Sequence, residues 1–431
     1  MNTDTKEPIA RTVVRAIFFS IIALSYGNFN PALVGIPVYD TGGDDAQPQQ
    51  YLIGMLWAVL IGCSLFPGVM RAPLRTRGLF WPGLLLGYIL VSPAWSDDPA
   101  SMAPKAVALL LCTTGIWRIA SIFSVKEVFD IMRGSLCVLV AASVIALIVD
   151  PGNAISREFR FEANDFENLW QGIYGQKQGL GVVAADFVFL ILMQWVNRRK
   201  PLYLLYAAVG VVLIVGSGSR GGAITAVAGP LAIIAARRYP RLFPVIISAF
   251  MLELAVALAG IAYLAVTGND SFLIMGNEID FTQRSLIWQF DVGMWLTRPI
   301  FGFGLNGFWS DPKIIWDFLR VHNWVVANHH SGYLAILVET GVVGMGLFGI
   351  VVWQLCSRLL AMLRRAAPSE SLEIAIGILV LTFTINFTET IFLRSTNFGE
   401  VLFTFLLINI FSPVYSARRV RQEPIWQPQY N

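Results

Sequence analysis

The sequence predicts an all-α polytopic membrane protein with about twelve transmembrane helices. Four observations predict it. Of 431 residues, 56% are hydrophobic and 14% charged, whereas soluble domains carry about 25% charge. Mean hydropathy is +0.63. Apolar runs of the length a spanning helix needs recur along the whole chain. Lysine and arginine gather in every second break between those runs, as membrane topology demands. The chain reads as one integral membrane domain over 1–431.

The runs lie near 15–29, 51–70, 78–92, 103–120, 130–149, 179–196, 202–217, 221–236, 243–266, 331–355, 371–391 and 398–414. The segment Met1–Arg15 is polar and basic, and the first run lacks a small-residue cleavage site. That run is expected to be a retained span and not a signal peptide. The basic breaks hold Lys6, Arg11 and Arg15, then Arg71, Arg75 and Arg77, then Arg118, Lys126 and Arg133. They continue with Arg198, Arg199 and Lys200, with Arg237, Arg238 and Arg241, with Arg358, Arg364 and Arg365, and with Arg418, Arg419 and Arg421. The other breaks include acidic ones at Asp40–Asp45 and Ser96-Asp97-Asp98. The positive-inside rule then puts both termini in the cytoplasm. A net charge of +3 distributed in this way is topological, and no nucleic-acid patch is expected. Cys63, Cys112, Cys137 and Cys356 fall in or beside apolar runs and form no metal-ligand or disulfide spacing.

Three breaks on the opposite side carry cations. The break at 150–178 holds Arg157, Arg160 and Lys177. The tight break Gly216–Gly222 sets Arg220 at a membrane edge. The break at 267–330, between spans nine and ten, is the longest and contains His322, His329 and His330, the three histidines of the chain. Loops of that length in a compact protein are usually functional. The loop is expected to be partly helical. Leu286, Ile287, Phe290 and Met294 recur at helical spacing within Phe281–Leu296. Thr297-Arg298-Pro299 would stop that helix. A second short helix is expected over Pro312–Val326. Topology therefore puts His330, Arg220, Arg284 and Lys177 on one side of the membrane.

His330 opens span ten, followed by Ser331, Gly341 and Gly344. Imidazole is the side chain best suited to proton transfer near neutral pH. The residues alone favour the blander reading, a helix-entry histidine bonded to a backbone carbonyl. Gly341 and Gly344, three apart on the expected helix, would let another helix approach. His329 points elsewhere on a helix and reads as structural. A metal site made of the histidines is disfavoured, because neighbouring side chains diverge and no well-spaced carboxylate joins them. Arg220 lies among Gly216, Gly218, Gly221 and Gly222, whose accessible N–H groups suit an anion. Its planar fork suits phosphate oxygens, while the bland alternative is an arginine snorkelling to the headgroups. Arg284, alone, reads as a solvated or ion-paired surface residue. Gly302-Phe303-Gly304-Leu305-Asn306-Gly307 fits G-x-G-x-x-G, but no strand precedes it and no βαβ unit surrounds it, so the dinucleotide reading is poor. Trp288, Trp295, Trp309, Trp316 and Trp324 could stack on sugars; most are expected at the membrane interface. A secondary transporter is the rival class, with Asp186 and Glu253 as intramembrane candidates, but the halves of the chain do not repeat.

Four ordered pieces resemble the bacterial O-antigen ligase and polysaccharide polymerase superfamily, which includes the exopolysaccharide polymerases. Trp95-Ser96-Asp97-Asp98-Pro99 looks like its early external loop. Gly175-Gln176-Lys177-Gln178-Gly179-Leu180-Gly181 looks like its Lys-Asn-x-x-Gly element, with Gln178 standing where the pattern has asparagine. Gly218-Ser219-Arg220-Gly221-Gly222 looks like its Ser-Arg-Gly element. Arg284, Pro299, Gly302, Gly304 and Phe308, with the His330 motif, resemble its large external loop. The resemblance implies a glycan donor on a polyprenyl diphosphate carrier. It also implies a glycan or lipid A core as acceptor, and the periplasmic face of the bacterial inner membrane as the setting. It implies an acceptor hydroxyl attacking the anomeric carbon as the lipid diphosphate leaves. His330 would take the proton, and Arg220, Arg284 and Lys177 would hold the diphosphate. No cofactor or metal enters this scheme. Polymerase and ligase share it and differ in acceptor; the Trp95–Pro99 and Lys177 elements lean towards a polymerase. The resemblance also implies membrane lipid and assembly with flippase and chain-length proteins as partners.

Overall fold

The structure is a computed structural model. It describes residues 9–27, 29–34, 48–66, 69, 78–160, 165–239, isolated positions between 245 and 267, 271–274, 277–280, 284–326, 328–365 and 370–411. The ninth expected span falls largely outside these residues. So do Lys6, the acidic stretch at 40–45, Arg71, Arg75, Arg77, Arg241, Glu253, Phe281 and the basic tail.

The described chain is mostly helical: α1 Ile9–Leu24, α2 Pro48–Ser64, α3 Phe80–Val91, α4 Pro99–Ile122, α5 Val125–Val149, α6 Lys177–Arg198, α7 Leu202–Ser217, α8 Arg220–Arg238, α9 Arg284–Trp295, α10 Pro312–His322, α11 Gly332–Arg365, α12 Glu370–Ile385 and α13 Phe398–Phe411. Among the described residues, strand is confined to two antiparallel pairs, β1 Ile155–Arg160 with β2 Asp165–Trp170, and β3 Ser271–Ile274 with β4 Asn277–Asp280. By length and composition, α4, α5, α6 and α11 can each cross a membrane, and six shorter helices are also apolar. The architecture is that of a polytopic membrane protein.

Helix ends follow local chemistry. Asp98 caps α4 by accepting from the Ser101 amide at 3.2 Å, and Pro99 takes the first helical position, where no N–H is needed. Ser124 and Glu127 form a reciprocal capping box at α5. Contacts close a ring in which α1 packs on α2 and α5, α2 on α4, α4 on α13, α13 on α12, α12 on α8, α8 on α6 and α6 on α5. Helix α3 joins from outside, against α4 and α11. One apolar core runs through this ring, from Phe18 and Trp57 to Phe189, Phe383 and Phe403.

A second core fills the segment between α9 and α11. It gathers Ile287, Trp288, Phe303, Phe308, Trp309, Phe318 and Val338. The membrane-interface expectation therefore fails for Trp288 and Trp309, which are buried, while Trp316 is 67% exposed. The expected apolar face of α9 packs in this core through Ile287, Phe290 and Met294. Asp291 is buried on the same helix, because it finds a buried partner in His329.

Helix α11 is not continuous. Gly341 has φ 65° and ψ −170°, a conformation essentially confined to glycine. The break frees carbonyls in mid-helix, and the loop after α9 satisfies them. Phe303 N–H donates to Val338 O at 3.0 Å and Gly304 N–H to Glu339 O at 2.8 Å, while Val342 N–H donates to Pro299 O at 2.9 Å. A Cβ on Gly341 would stand 2.1 Å from the Ile300 carbonyl oxygen. The expected helix-packing role of Gly341 is thus replaced by an interlock of loop backbone with helix backbone. Gly344 keeps that role: a Cβ there would lie 3.0 Å from Tyr88 of α3. The Gly302–Gly307 run serves this interlock, with Gly302 at φ 70° and Gly304 at φ 85°.

Candidate active site

Two adjacent histidines divide the site. The expected α12 span stops at Ile385, and residues 386–397 return as an irregular segment before α13. That segment supplies Thr388, Glu389 and Arg394. Its backbone carbonyls at Asn386 and Glu389 accept the Gly332 N–H at 2.8 and 3.0 Å, which fixes the start of α11 beside it.

His330 sits just before that start, with a left-handed backbone, φ 47°. Its amide donates to Asn328 Oδ1 at 2.8 Å. Its Nδ1 lies 4.0 Å from Glu389 Oε2 and its side chain is 27% exposed. That Nδ1 is buried without a hydrogen bond. Burial pushes the His330 pKa down to about 4, with Arg284 and His329 adding in the same direction. The imidazole is therefore neutral at physiological pH, the form a general base needs.

Arg284, the first residue of α9, donates Nη2–H to Glu389 Oε1 at 3.0 Å and Nη1–H to the Thr388 carbonyl. Burial raises the Glu389 carboxyl above its ordinary range, and Arg284 opposes that rise. Glu389 thus stands between Arg284 and His330. Arg220, the first residue of α8, is exposed, and no hydrogen bond or ion pair holds its guanidinium among the described residues. Ser219 caps α8 by accepting from the Gly222 amide at 3.2 Å. A Cβ on Gly221 would lie 2.9 Å from Thr388 Oγ1, so the Arg220 turn abuts the residue whose carbonyl Arg284 holds. Lys177 opens α6 and is half-buried. One turn on, a Cβ on Gly181 would stand 2.2 Å from Ser219 Cβ, and one on Gly222 would stand 2.7 Å from the Gly181 carbonyl oxygen. The beginnings of α6, α8 and α11 and the 386–397 segment therefore meet at the same end of the bundle. His330 and Arg284 are linked directly through Glu389; Arg220 and Lys177 are linked through neighbouring backbone.

His329 is fully buried beside them. Its Nδ1 lies 2.9 Å from Asp291 Oδ2 and its Nε2 lies 3.3 Å from Glu339 Oε1. Arg394 grips Glu339 with both terminal nitrogens, at 2.6 and 3.1 Å. Asn306 N–H donates to Glu339 Oε2 at 3.0 Å. Two carboxylates therefore do join a histidine, contrary to the expectation, although no metal-binding group forms among the described residues. His322 lies apart in the last turn of α10, its ring centroid 4.4 Å from that of Phe318. The Trp95–Pro99 element docks on the same loop: Trp95 Nε1–H donates to Phe301 O at 3.1 Å and Asp97 pairs with Arg298 at 2.7 Å.

Glu389, Asp291, Glu339 and Arg394 are the residues that sequence reasoning missed. A usable signal existed for two of them. Glu339 and Glu389 are charges inside otherwise apolar runs, which are functional by default. Asp186 is likewise buried, and accepts from Tyr26 Oη at 2.8 Å, far from these groups in sequence.

Known proteins resemble this chain over part of its length. The family model for O-antigen ligase matches residues 205–349, from α7 to beyond the interlock at Gly341. The exopolysaccharide production protein ExoQ of Rhizobium meliloti (strain 1021) is 22% identical over 326 residues, covering 70% of this chain and 74% of that protein. Both similarities support a place in the O-antigen ligase and polysaccharide polymerase superfamily. The protein is a membrane enzyme of polysaccharide assembly, of the class that transfers glycans as a ligase or polymerase does.

Proposed function

We propose that the protein transfers or polymerises glycan from a polyprenyl diphosphate carrier onto an acceptor sugar hydroxyl, at the periplasmic face of the bacterial inner membrane. The observation that carries this reading is His330 at the start of α11, with Nδ1 4.0 Å from a Glu389 carboxylate that Arg284 also holds, at the end of the bundle where α6 and α8 begin. An acceptor O–H attacks the anomeric carbon. The C–O bond to the diphosphate breaks as the new glycosidic bond forms, and the acceptor's proton passes to His330. A single displacement inverts the anomeric centre. The leaving diphosphate gathers negative charge, so fixed cations near it stabilise the transition state.

Arg220 and Lys177 suit that task because each opens a helix. A cation at a helix N-terminus opposes the macrodipole, and an anion bound there relieves both. Arg284 shares its fork between Thr388 and Glu389, and its charge helps keep His330 unprotonated. The scheme needs no metal or nucleotide. About twelve spans, cytoplasmic termini and a periplasmic 267–330 loop complete this reading, with flippase and chain-length proteins as partners.

The acceptor separates two outcomes. Similarity to ExoQ over 70% of the chain favours growth of a free exopolysaccharide. The family description favours attachment of glycan to lipid A core. Deleting the gene and assaying free exopolysaccharide and core-attached glycan separately tests this. Loss of free polymer is expected, and loss of only core-attached glycan would overturn the polymerase reading.

A further inference from the structure

Both ring nitrogens of His329 face carboxylate oxygens, Asp291 Oδ2 at 2.9 Å and Glu339 Oε1 at 3.3 Å. A neutral imidazole has one N–H and one lone pair, so it can donate to only one of them. With both carboxyls ionised, the other contact would set a lone pair against a carboxylate in a fully buried site; burial raises the Asp291 carboxyl, and His329 opposes that rise. An imidazolium donates to both. The charges around it agree: the buried Asp291 and Glu339 are balanced by a half-buried Arg394 and a protonated His329, and that quartet is neutral. The Phe308 ring stacks on the imidazole, centroids 5.4 Å apart, as a cation would favour. Burial alone would push the His329 pKa down, but Asp291 and Glu339 hold it above its ordinary value.

We propose that His329 is a permanently doubly protonated imidazolium, and that it is the positioning residue for His330. The role has two parts, and it rests on the reading of His330 as the general base. Mechanically, the quartet ties α9 through Asp291, α11 through Glu339 and the 386–397 segment through Arg394, and Asn306 joins the loop to it. Trp288 Nε1–H donates to the His329 carbonyl at 3.2 Å, which fixes the peptide leading into the left-handed His330. Electrostatically, a fixed cation one residue away adds to the burial and the Arg284 charge that disfavour protonation of His330. The division of labour follows. His329 has no lone pair left to accept a proton, so of the two adjacent imidazoles only His330 can act as the base.

The groups facing His329 are Asp291, Glu339 and Arg394, with His330 next in the chain; those facing His330 are Arg284, Glu389 and His329. Two substitutions change the charge beside His330 in opposite directions. His329→Gln leaves the former quartet at −1, so the acid limb of the pH–rate profile for glycan transfer should move to higher pH. Asp291→Asn leaves it at +1, and the limb should move to lower pH. The double variant restores neutrality and should return the limb towards the wild-type position. A purely packing role would lower the rate in all three without moving the limb. Identical shifts in the two single variants, or no shift, would overturn the proposal.

A second readout does not depend on transfer. The full-length protein has three histidines, so 15N-histidine labelling in detergent micelles gives three side chains to follow. The signal lost in His329→Gln should show two protonated ring nitrogens at pH 8. A neutral tautomer there would refute the imidazolium. If His330→Ala kept full transfer while this signal stayed doubly protonated, the general-base reading would fail and the protonation claim would stand.

Discussion

Gly341→Ala should break the coupling between loop and helix. The backbone there has φ 65° and ψ −170°, and holding a residue with a Cβ in such a conformation costs about 1–3 kcal/mol. The new methyl would also meet the Ile300 carbonyl oxygen at 2.1 Å and Phe301 N at 2.6 Å. Both are backbone atoms, so no side chain can turn aside. Relief requires the 299–304 loop to lift, which releases three backbone hydrogen bonds of 2.8–3.0 Å. Each is worth about 1 kcal/mol net, so the total loss is about 4–6 kcal/mol. The Phe303 and Phe308 core and the Asn306–Glu339 contact lie on the same loop, so transfer should fall as well. The assay is equilibrium unfolding of the purified protein in mixed micelles, followed by tryptophan fluorescence. Gly346→Ala is the control, since a Cβ there meets nothing within 4 Å and alanine is the better helix former by about 1 kcal/mol. Equal stability of the two variants would refute the interlock.

Four other outcomes follow. Arg394→Met leaves Glu339 buried without its main partner and should cost about 3–5 kcal/mol, while Arg394→Met with Glu339→Gln should recover part of it, measured by the same unfolding assay. Ser92→Ala removes the hydroxyl that accepts the buried Leu305 N–H at 2.8 Å and should cost about 1–3 kcal/mol. His330 titrates near 4 when folded and near 6.5 when unfolded, so the unfolded chain binds the extra proton between those values. Stability from this group is therefore present above about pH 6.5 and lost as pH falls towards 4; His330→Gln should flatten that part of the melting-temperature profile. Arg220→Lys should keep the fold, since Arg220 is exposed, yet transfer poorly, because a point charge cannot reproduce the planar fork.

Hydropathy and charge alternation made the helices legible. Residues 130–149, 179–196 and 202–217 each lie within an observed helix, because apolar runs of that length have few other ways to satisfy their backbones in lipid. The stop at Thr297-Arg298-Pro299 was legible for the same reason: Pro299 cannot continue a helix. The break at Gly341 was not, since a glycine in an apolar run reads as packing until the partner backbone is known. The end of α12 was missed because Phe387, Ile391 and Phe392 carry the hydropathy of a span past Ile385, although Asn386 already turns the chain by accepting the Ile391 and Phe392 amides at 3.2 and 3.1 Å. At the site, the motif spacing singled out His330, Arg220, Arg284 and Lys177. It could not pair Asp291 with His329, or Glu339 with Arg394, because such partners lie 38 and 55 residues apart. The periodicity of α9 found Ile287, Phe290 and Met294, which pack in the second core, and missed Asp291, because a buried aspartate is unintelligible until its histidine is in place.

The central claim is that His330, and not His329, takes the acceptor's proton while the cations hold the diphosphate. The most direct test reconstitutes purified His330→Ala in liposomes with a defined polyprenyl-diphosphate-linked glycan and acceptor. Donor binding and transfer are measured on the same sample. The account predicts donor binding close to wild type and transfer abolished. Transfer at the wild-type rate would contradict it.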